Sequence, residues 1–348
     1  GGIFHTYQYR WVPYTTGGPM LDEERYNDTK HWVGLDRSWY VSGRPYREMD
    51  RIDGTPNPIY RRWLDHPAYD SYWQQLIPYR KEFARIDIPV LQTTGYYDGG
   101  QVGTLHYFNE HRKHHPRANH TLLIGPYGHL GAQHQAQNVI EGYAIDPVAR
   151  MNIHTLRYAW FDHVLKGGPR PEILKDTVNY QVMGANLWRH APSLEAMATR
   201  KTKLHLVDGT LAKQPPSRES SVEMTIDLAD RSDADWMRPS QIVTRTLDTH
   251  NALALVSEPM AKDVEVSGRL SGTLDFVINK ADMDFVVTVY ELTANGEYVR
   301  LSVPYYQRAS YLRDPSRRQL LVPGKPQQLS FVKPGPVSRL FKTGSRLV

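Results

Sequence analysis

The rhythm of apolar and polar positions changes twice along this chain. Up to residue 86, apolar residues come at helical spacing in short bursts: Ile59, Trp63 and Leu64 in "IYRRWLDH", then Tyr72, Leu76 and Ile77 in "DSYWQQLIPYRKEF". Pro67 and Pro78 punctuate them, and no alternating strand pattern occurs. Residues 1–86 are therefore expected to form an irregular helical insert without an independent core. From 87 to 170 the order becomes strand, helix, strand, helix. The run Ile88-Pro89-Val90-Leu91-Gln92 reads as a buried strand, and the following "QVGTLHYFNEHRKHH" carries Val102, Leu105 and Phe108 on one helical face. "HTLLIG" is the second strand. The closing "NIHTLRYAWFDHVLKGG" has a stripe of Leu156, Ala159, Trp160, His163 and Val164, stopped by Gly167-Gly168-Pro169. Such alternation predicts a mostly parallel α/β sheet.

Beyond residue 171 helical spacing vanishes. "VNYQVMG", "TKLHLVD", "SVEMTIDL", "KDVEVSGRLSG", "DFVVTVYEL" and "YVRLSV" are short alternating runs, and Asn295-Gly296 between two of them marks a hairpin. Residues 171–348 are expected to form a β-sandwich. The last residues, "TGSRLV", fall within a strand pattern, so this domain is expected to be truncated at its C-terminus.

Two predicted strands run into turns of one design. "GYYDGG" (95–100) follows the first and "GPYGHLG" (125–131) the second. Asp98 and His129 thus fall just beyond the carboxyl ends of parallel strands, where open α/β sheets place ligands. Singly, such an Asp is a turn residue or helix cap and such a His a loop residue. Together, with room for one crossover helix between them, they make a candidate acid and base. A serine hydroxyl is a poor nucleophile until a neutral imidazole takes its proton, and a carboxylate fixes the tautomer of that imidazole. Asp before His is the order of α/β-hydrolases, whose serine comes earlier still. No Gly-x-Ser-x-Gly occurs in the chain: "VSG" at 41–43 and 266–268 and "LSG" at 270–272 lack the upstream glycine. The nucleophile is expected upstream of residue 1, and the start at Gly1-Gly2-Ile3 reads as the interior of a longer polypeptide.

Other constellations carry less. "HRKHHP" (His111, His114, His115) admits a metal reading but sits at the basic end of an amphipathic helix, so a solvated face is expected. His129 and His134 have a poor spacing for helical metal ligands. Tyr7, Tyr9, Trp11 and Tyr14 fit a pocket wall or plain packing equally. Glu110, Glu141 and Asp146 show no paired-carboxylate arrangement of the glycosidase kind.

Composition narrows the field further. The 348 residues suit two or three units. With 40% hydrophobic and 23% charged residues the balance is that of a globular protein, and no apolar run approaches the ~18 residues of a membrane span. The formal charge of +5, from 42 basic and 37 acidic side chains, is spread along the chain without a basic block, so no nucleic-acid or membrane partner is expected. The absence of cysteine excludes disulfides, thiolate catalysis and Cys-ligated metal, and leaves the compartment open. No cofactor and no metal are expected.

With these residues in place, the chain resembles the cocaine esterase / α-amino acid ester hydrolase / X-Pro dipeptidyl-peptidase (S15-like) family of serine hydrolases. The matching stretches are "LDHPAYDSYW" (64–73), "IPVLQTTGYYDGG" (88–100), "LLIGPYGH" (122–129), "WFDHVLKG" (160–167), "VNYQVMGANLWR" (178–189) and "ADMDFVVTVYEL" (281–292). The resemblance implies a helical cap insert (1–86), the C-terminal part of an α/β-hydrolase domain (87–170) and a jelly-roll domain (171–348). It also implies that Asp98 is the triad acid and His129 the triad base, acting on a small-molecule ester or amide (acyl or dipeptidyl) through an acyl-enzyme. The serine elbow and the tyrosine of the oxyanion hole belong to the N-terminal portion, a candidate companion for this chain. The family usually has Trp where Tyr127 stands. α-Amino acid ester hydrolases carry acidic residues just after the Asp to hold a substrate ammonium; here Gly99, Gly100 and Gln101 follow, and the "YDG" pattern is closer to cocaine esterase. A second reading, a carbohydrate- or ligand-binding module, rests on the jelly-roll alone, an architecture shared with lectins. Labelling by a fluorophosphonate probe separates the two.

Overall fold

The computed structural model describes residues 6–348 except 17, 19, 208 and 235–240. The first five residues of the predicted insert and Asp208, at the end of one predicted strand, lie outside these. The insert is helical: α1 (Thr6–Thr16), α2 (Glu23–Asn27), α3 (Thr29–Ser42), α4 (Met49–Ile52), α5 (Pro58–Asp65) and α6 (Ser71–Gln74). Its starts are dictated locally. Asp22, Asp28, Asn57 and Asp70 each accept a backbone N–H of the first turn they precede, and Pro58 opens α5 where no N–H is needed. The helical spacing over 70–83 resolves into α6 and a 3-10 turn (Arg80–Arg85), the break falling at the punctuating Pro78 and the extended Tyr79. Contrary to expectation, the insert has a core of its own: Tyr9, Val12, Trp32, Leu35, Met49 and Tyr60 are buried together. Tyr9 and Tyr60 meet edge to face with ring centroids 4.9 Å apart. Buried Asp50 is satisfied by a bidentate Arg61 and the Asn57 N–H.

The α/β region follows as β1 (Val90–Gly95), α7 (Gln101–His114), β2 (His120–Gly125), a short hairpin of β3 (Val139–Ile140) and β4 (Tyr143–Ala144), and α8 (Ile153–Lys166). Two further strands, β5 (Val178–Val182) and β6 (Leu187–Ala191), complete a sheet of order β1-β2-β5-β6. β1 to β2 and β2 to β5 are parallel, and β6 returns antiparallel. β2 and β5 are buried at every position, as strands covered on both faces are, and in β5 this takes in the polar Asn179 and Gln181. The sheet thus takes two strands from beyond residue 171. The buried row of α7 is Gln101, Leu105, Phe108 and His111, while Val102 points out, 58% exposed. The reason is polar: the Gln101 carboxamide donates to the carbonyls of Gly95 and Tyr96, which turns the helix one position from its apolar pattern. On α8, Ile153 and Leu156 face inward and Ala159 faces solvent.

The rest is antiparallel β. Val264–Gly268 pairs with Val337–Phe341, Ser271–Phe276 with Gln327–Val332, and Asp284–Val287 with Tyr305–Arg308, each pair enclosing the next. A doubled chain wound in this nested way is the jelly-roll arrangement. Asn295-Gly296 turns the predicted hairpin between Tyr290–Leu292 and Tyr298–Arg300, with Gly296 at φ 79°. "SVEMTIDL" (221–228), expected as a strand, forms none: Val222, Met224, Ile226 and Leu228 are all exposed. An alternating pattern specifies a strand only where a ladder partner and a buried face exist. The sandwich sits on the α/β sheet. Tyr97 Oη donates to the Arg300 carbonyl (2.7 Å), and the Val303 N–H donates to the Tyr96 carbonyl (2.8 Å).

Candidate active site

The site begins with strand register. Gly95 and Gly125 stand opposite each other at the ends of β1 and β2, so the two following loops rise side by side. Both positions require glycine by close approach. A Cβ on Gly95 would lie 1.9 Å from the Tyr127 carbonyl oxygen, and one on Gly125 2.5 Å from the Tyr127 ring. The Tyr96 N–H donates to the Gly125 carbonyl and the Tyr97 N–H to the Tyr127 carbonyl, lacing the loops together. Tyr127 is buried and donates its hydroxyl to the Ala149 carbonyl, so a Tyr here is an anchored core residue.

The lacing brings Asp98 and His129 together. Asp98 is 5% exposed. Its Oδ1 accepts from the Gly100 N–H (2.8 Å) and from His129 Nδ1–H (2.9 Å), and its Oδ2 accepts from the Thr94 hydroxyl (3.2 Å). An ionised carboxylate only accepts, so its contact places the imidazole proton on Nδ1 and leaves the Nε2 lone pair outward. His129 is 68% exposed, and Nε2 accepts from the Gln133 carboxamide at 2.9 Å. That amide marks the direction from which a hydroxyl can donate. The arrangement can take a proton at Nε2 and hold the resulting imidazolium against Asp98, which is the task of a general base.

The remaining candidates sort differently. His111, expected on a solvated face, is fully buried: Nε2 donates to the Ile86 carbonyl and Nδ1 meets His120 Nδ1 at 2.9 Å. His115 reaches the same Ile86 carbonyl, and His114 lies beside Glu110. His134 pairs with His154, not with His129. Among the described residues no group of three His, Asp or Glu side chains is placed to hold a metal ion. Glu141 pairs with Arg300, and Asp146 accepts from Gln181 and the Gly184 N–H. Tyr9 belongs to the insert core, whereas Tyr7, Trp11 and Tyr14 gather around Tyr26 near the surface. A cavity of about 460 Å³ in the insert is lined in part by Asp28, His31, Leu35 and Asp53; neither Asp98 nor His129 borders it. Thr94 and Gln133 escaped the sequence reading, and Gln101 entered it only as a position without an acid. Thr94, four positions before Asp98, carried a signal, since a hydroxyl at the end of a strand can turn back onto the carboxylate that follows.

Comparison with known proteins gives two family matches. The X-Pro dipeptidyl-peptidase (S15 family) matches residues 1–131, and the X-Pro dipeptidyl-peptidase C-terminal non-catalytic domain matches residues 174–348. No curated protein matches by sequence. Among solved structures, an α-amino acid ester hydrolase superposes with TM-score 0.67 at 19% identity, over 90% of this chain and 56% of its own. An aminopeptidase from a marine sediment Thaumarchaeota archaeon also gives 0.67 at 19%, over 89% and 55%. A CocE/NonD family hydrolase from Staphylococcus aureus gives 0.56 at 14%, over 98% and 66%. These likenesses establish the fold, and the chain spans little more than half the length of the first two.

Proposed function

Because the chain belongs to the X-Pro dipeptidyl-peptidase (S15) family, we propose that the full-length protein is a serine hydrolase cleaving an ester or amide bond through an acyl-enzyme, with His129 as general base and Asp98 as its carboxylate partner. The observation that carries this reading is the Asp98–His129 hydrogen bond at the ends of two parallel strands, with Nε2 turned outward. A serine hydroxyl gives its proton to Nε2 as its oxygen attacks the substrate carbonyl. The imidazolium so formed, held by Asp98, returns that proton to the departing alkoxide or amine. Water then repeats the sequence on the acyl-enzyme and releases the carboxylic acid.

No Gly-x-Ser-x-Gly is present in residues 1–348, so the serine and its oxyanion donors are assigned to a segment preceding residue 1 in the full-length protein. The α-amino acid ester hydrolase neighbour raises the question of an ammonium-bearing substrate. Gly99 and Gly100 offer no carboxylate beside Asp98, and Gln101 is buried, which favours esters or amides without an ammonium at that place. Labelling the full-length protein with a fluorophosphonate tests the reaction class. Labelling that disappears in the His129→Ala variant is expected. An unlabelled protein whose β-sandwich binds a sugar saturably would establish the binding-module reading instead.

A further inference from the structure

The turn that carries Asp98 is closed by a residue outside the dyad. Gln101 is 1% exposed. Its backbone N–H donates to the Asp98 carbonyl (3.1 Å), while its side-chain Nε2 donates to the carbonyls of Gly95 (2.9 Å) and Tyr96 (3.0 Å). Gln101 thus ties both ends of the segment on which the carboxylate rides. Its other side-chain atom, Oε1, is buried and has no hydrogen-bond partner, a costly arrangement unless something nearby compensates it.

What lies against Oε1 comes from the other end of the chain. The loop Lys333-Pro334-Gly335-Pro336 leaves the strand Gln327–Val332, and a Cβ built on Gly335 would lie 1.7 Å from Gln101 Oε1 and 2.9 Å from its Cδ. The same point is 3.1 Å from Lys333 Nζ. Lys333 is itself 4% exposed, an unusual place for an ammonium group. Its backbone N–H donates to the Leu270 carbonyl (2.8 Å), and Nζ donates to the Gly335 carbonyl (3.2 Å). Burial pushes the Lys333 ammonium down to about 8, as for a cation held in a dry site. Gly335 has an ordinary φ, so its glycine is explained by closeness to Gln101 and not by backbone strain.

We propose that Gln101, Gly335 and Lys333 are positioning residues: the β-sandwich presses its Lys333–Gly335 loop onto the Gln101 carboxamide and so fixes the Asp98 turn at the height where Oδ1 meets His129. The Val303 N–H, which shares the Tyr96 carbonyl with Gln101, is a second hold from the same domain. On this account the domain whose family description is non-catalytic sets the geometry of the acid. The inference rests on the roles proposed above for Asp98 and His129.

The test uses the full-length protein and steady-state hydrolysis of a p-nitrophenyl ester, with active sites counted by fluorophosphonate titration. In Gly335→Ala the new methyl group expels the carboxamide. We expect kcat per active site to fall at least tenfold with KM within twofold. Gln101→Met keeps the length of the side chain and removes its donors. It is expected to match that loss, and the double variant should lose no more than the worse single one, because both break one device. His129→Ala is run beside them. If His129→Ala abolishes turnover while Gln101→Met keeps kcat per site within twofold, the clamp is refuted and the dyad stands. If His129→Ala turns over normally, the dyad falls and the clamp with it. Should Gly335→Ala fail to fold, Gln101→Met decides alone by the same criterion. A loss seen only in the number of active sites, with kcat per site unchanged, also refutes the clamp.

Discussion

At the scale of single residues, the site is a matter of proton placement. Asp98 fixes the tautomer of His129 through one 2.9 Å contact, and its own carboxylate is held by the Gly100 N–H and the Thr94 hydroxyl. Asp98→Asn preserves the shape but permits the amide N–H to face Nδ1, which selects the wrong tautomer. In the full-length protein kcat should then fall by about 10⁴, with substrate binding little changed. Thr94→Val removes one acceptor contact of three and should cost far less, about tenfold or below, measured on the same ester. Asp98 and His129 were legible in the sequence because glycines flank both and each follows an apolar run. Gln101 was not, because a buried carboxamide at a helix start looks like any surface glutamine until its acceptors, the Gly95 and Tyr96 carbonyls, are in place.

Among the elements, α7 and β2 are joined by a buried polar line. The Ile86 carbonyl, His111, His120 and the Gln92 side chain follow one another at 2.9 Å spacings. Burial, helped by the neighbouring His111, pushes His120 down to about 3, against an ordinary value near 6.5. The sign follows from linkage. The unfolded chain takes up the proton below pH ~6.5 while the folded protein refuses it, so stability is full above pH ~6.5 and is lost as pH falls toward 3, by at most about 1.4 kcal/mol per pH unit. Urea midpoints of the full-length protein should therefore decline more steeply between pH 6.5 and 4 than those of His120→Phe. Equal slopes would show that the pair does not govern acid stability. Helix and strand identities were largely readable here, since apolar runs and the Gly167 stop are local signals. Faces were not: the outward Val102 and buried His111 depend on hydrogen bonds made across elements. The same limit explains "SVEMTIDL", whose alternation has no partner ladder to sit on.

For the whole molecule, the sheet order leaves β1 with a neighbour on one side only among the described residues. A parallel strand flanked by an unpaired edge is a template for further strands. Residues 1–348 expressed alone are expected to show no His129-dependent ester turnover and to associate or aggregate through that edge. Rapid turnover by residues 1–348, abolished in His129→Ala, would instead place a nucleophile within them. The nested ladders of the sandwich were foreseen only as alternating strands, because which run pairs with which is not a local property. That nesting also imposes a timetable. Val264 meets Phe341 in the outermost ladder, and Gly335 reaches Gln101 from far along the chain. On a ribosome adding ~5–20 residues per second, Gly335 emerges on the order of ten seconds or more after Gln101. During that interval the carboxylate turn exists without its clamp, so a nascent chain stalled before the last strands would carry an assembled sheet and an idle acid. On the proposed roles, competence arrives last, with the Lys333–Gly335 loop of the sandwich.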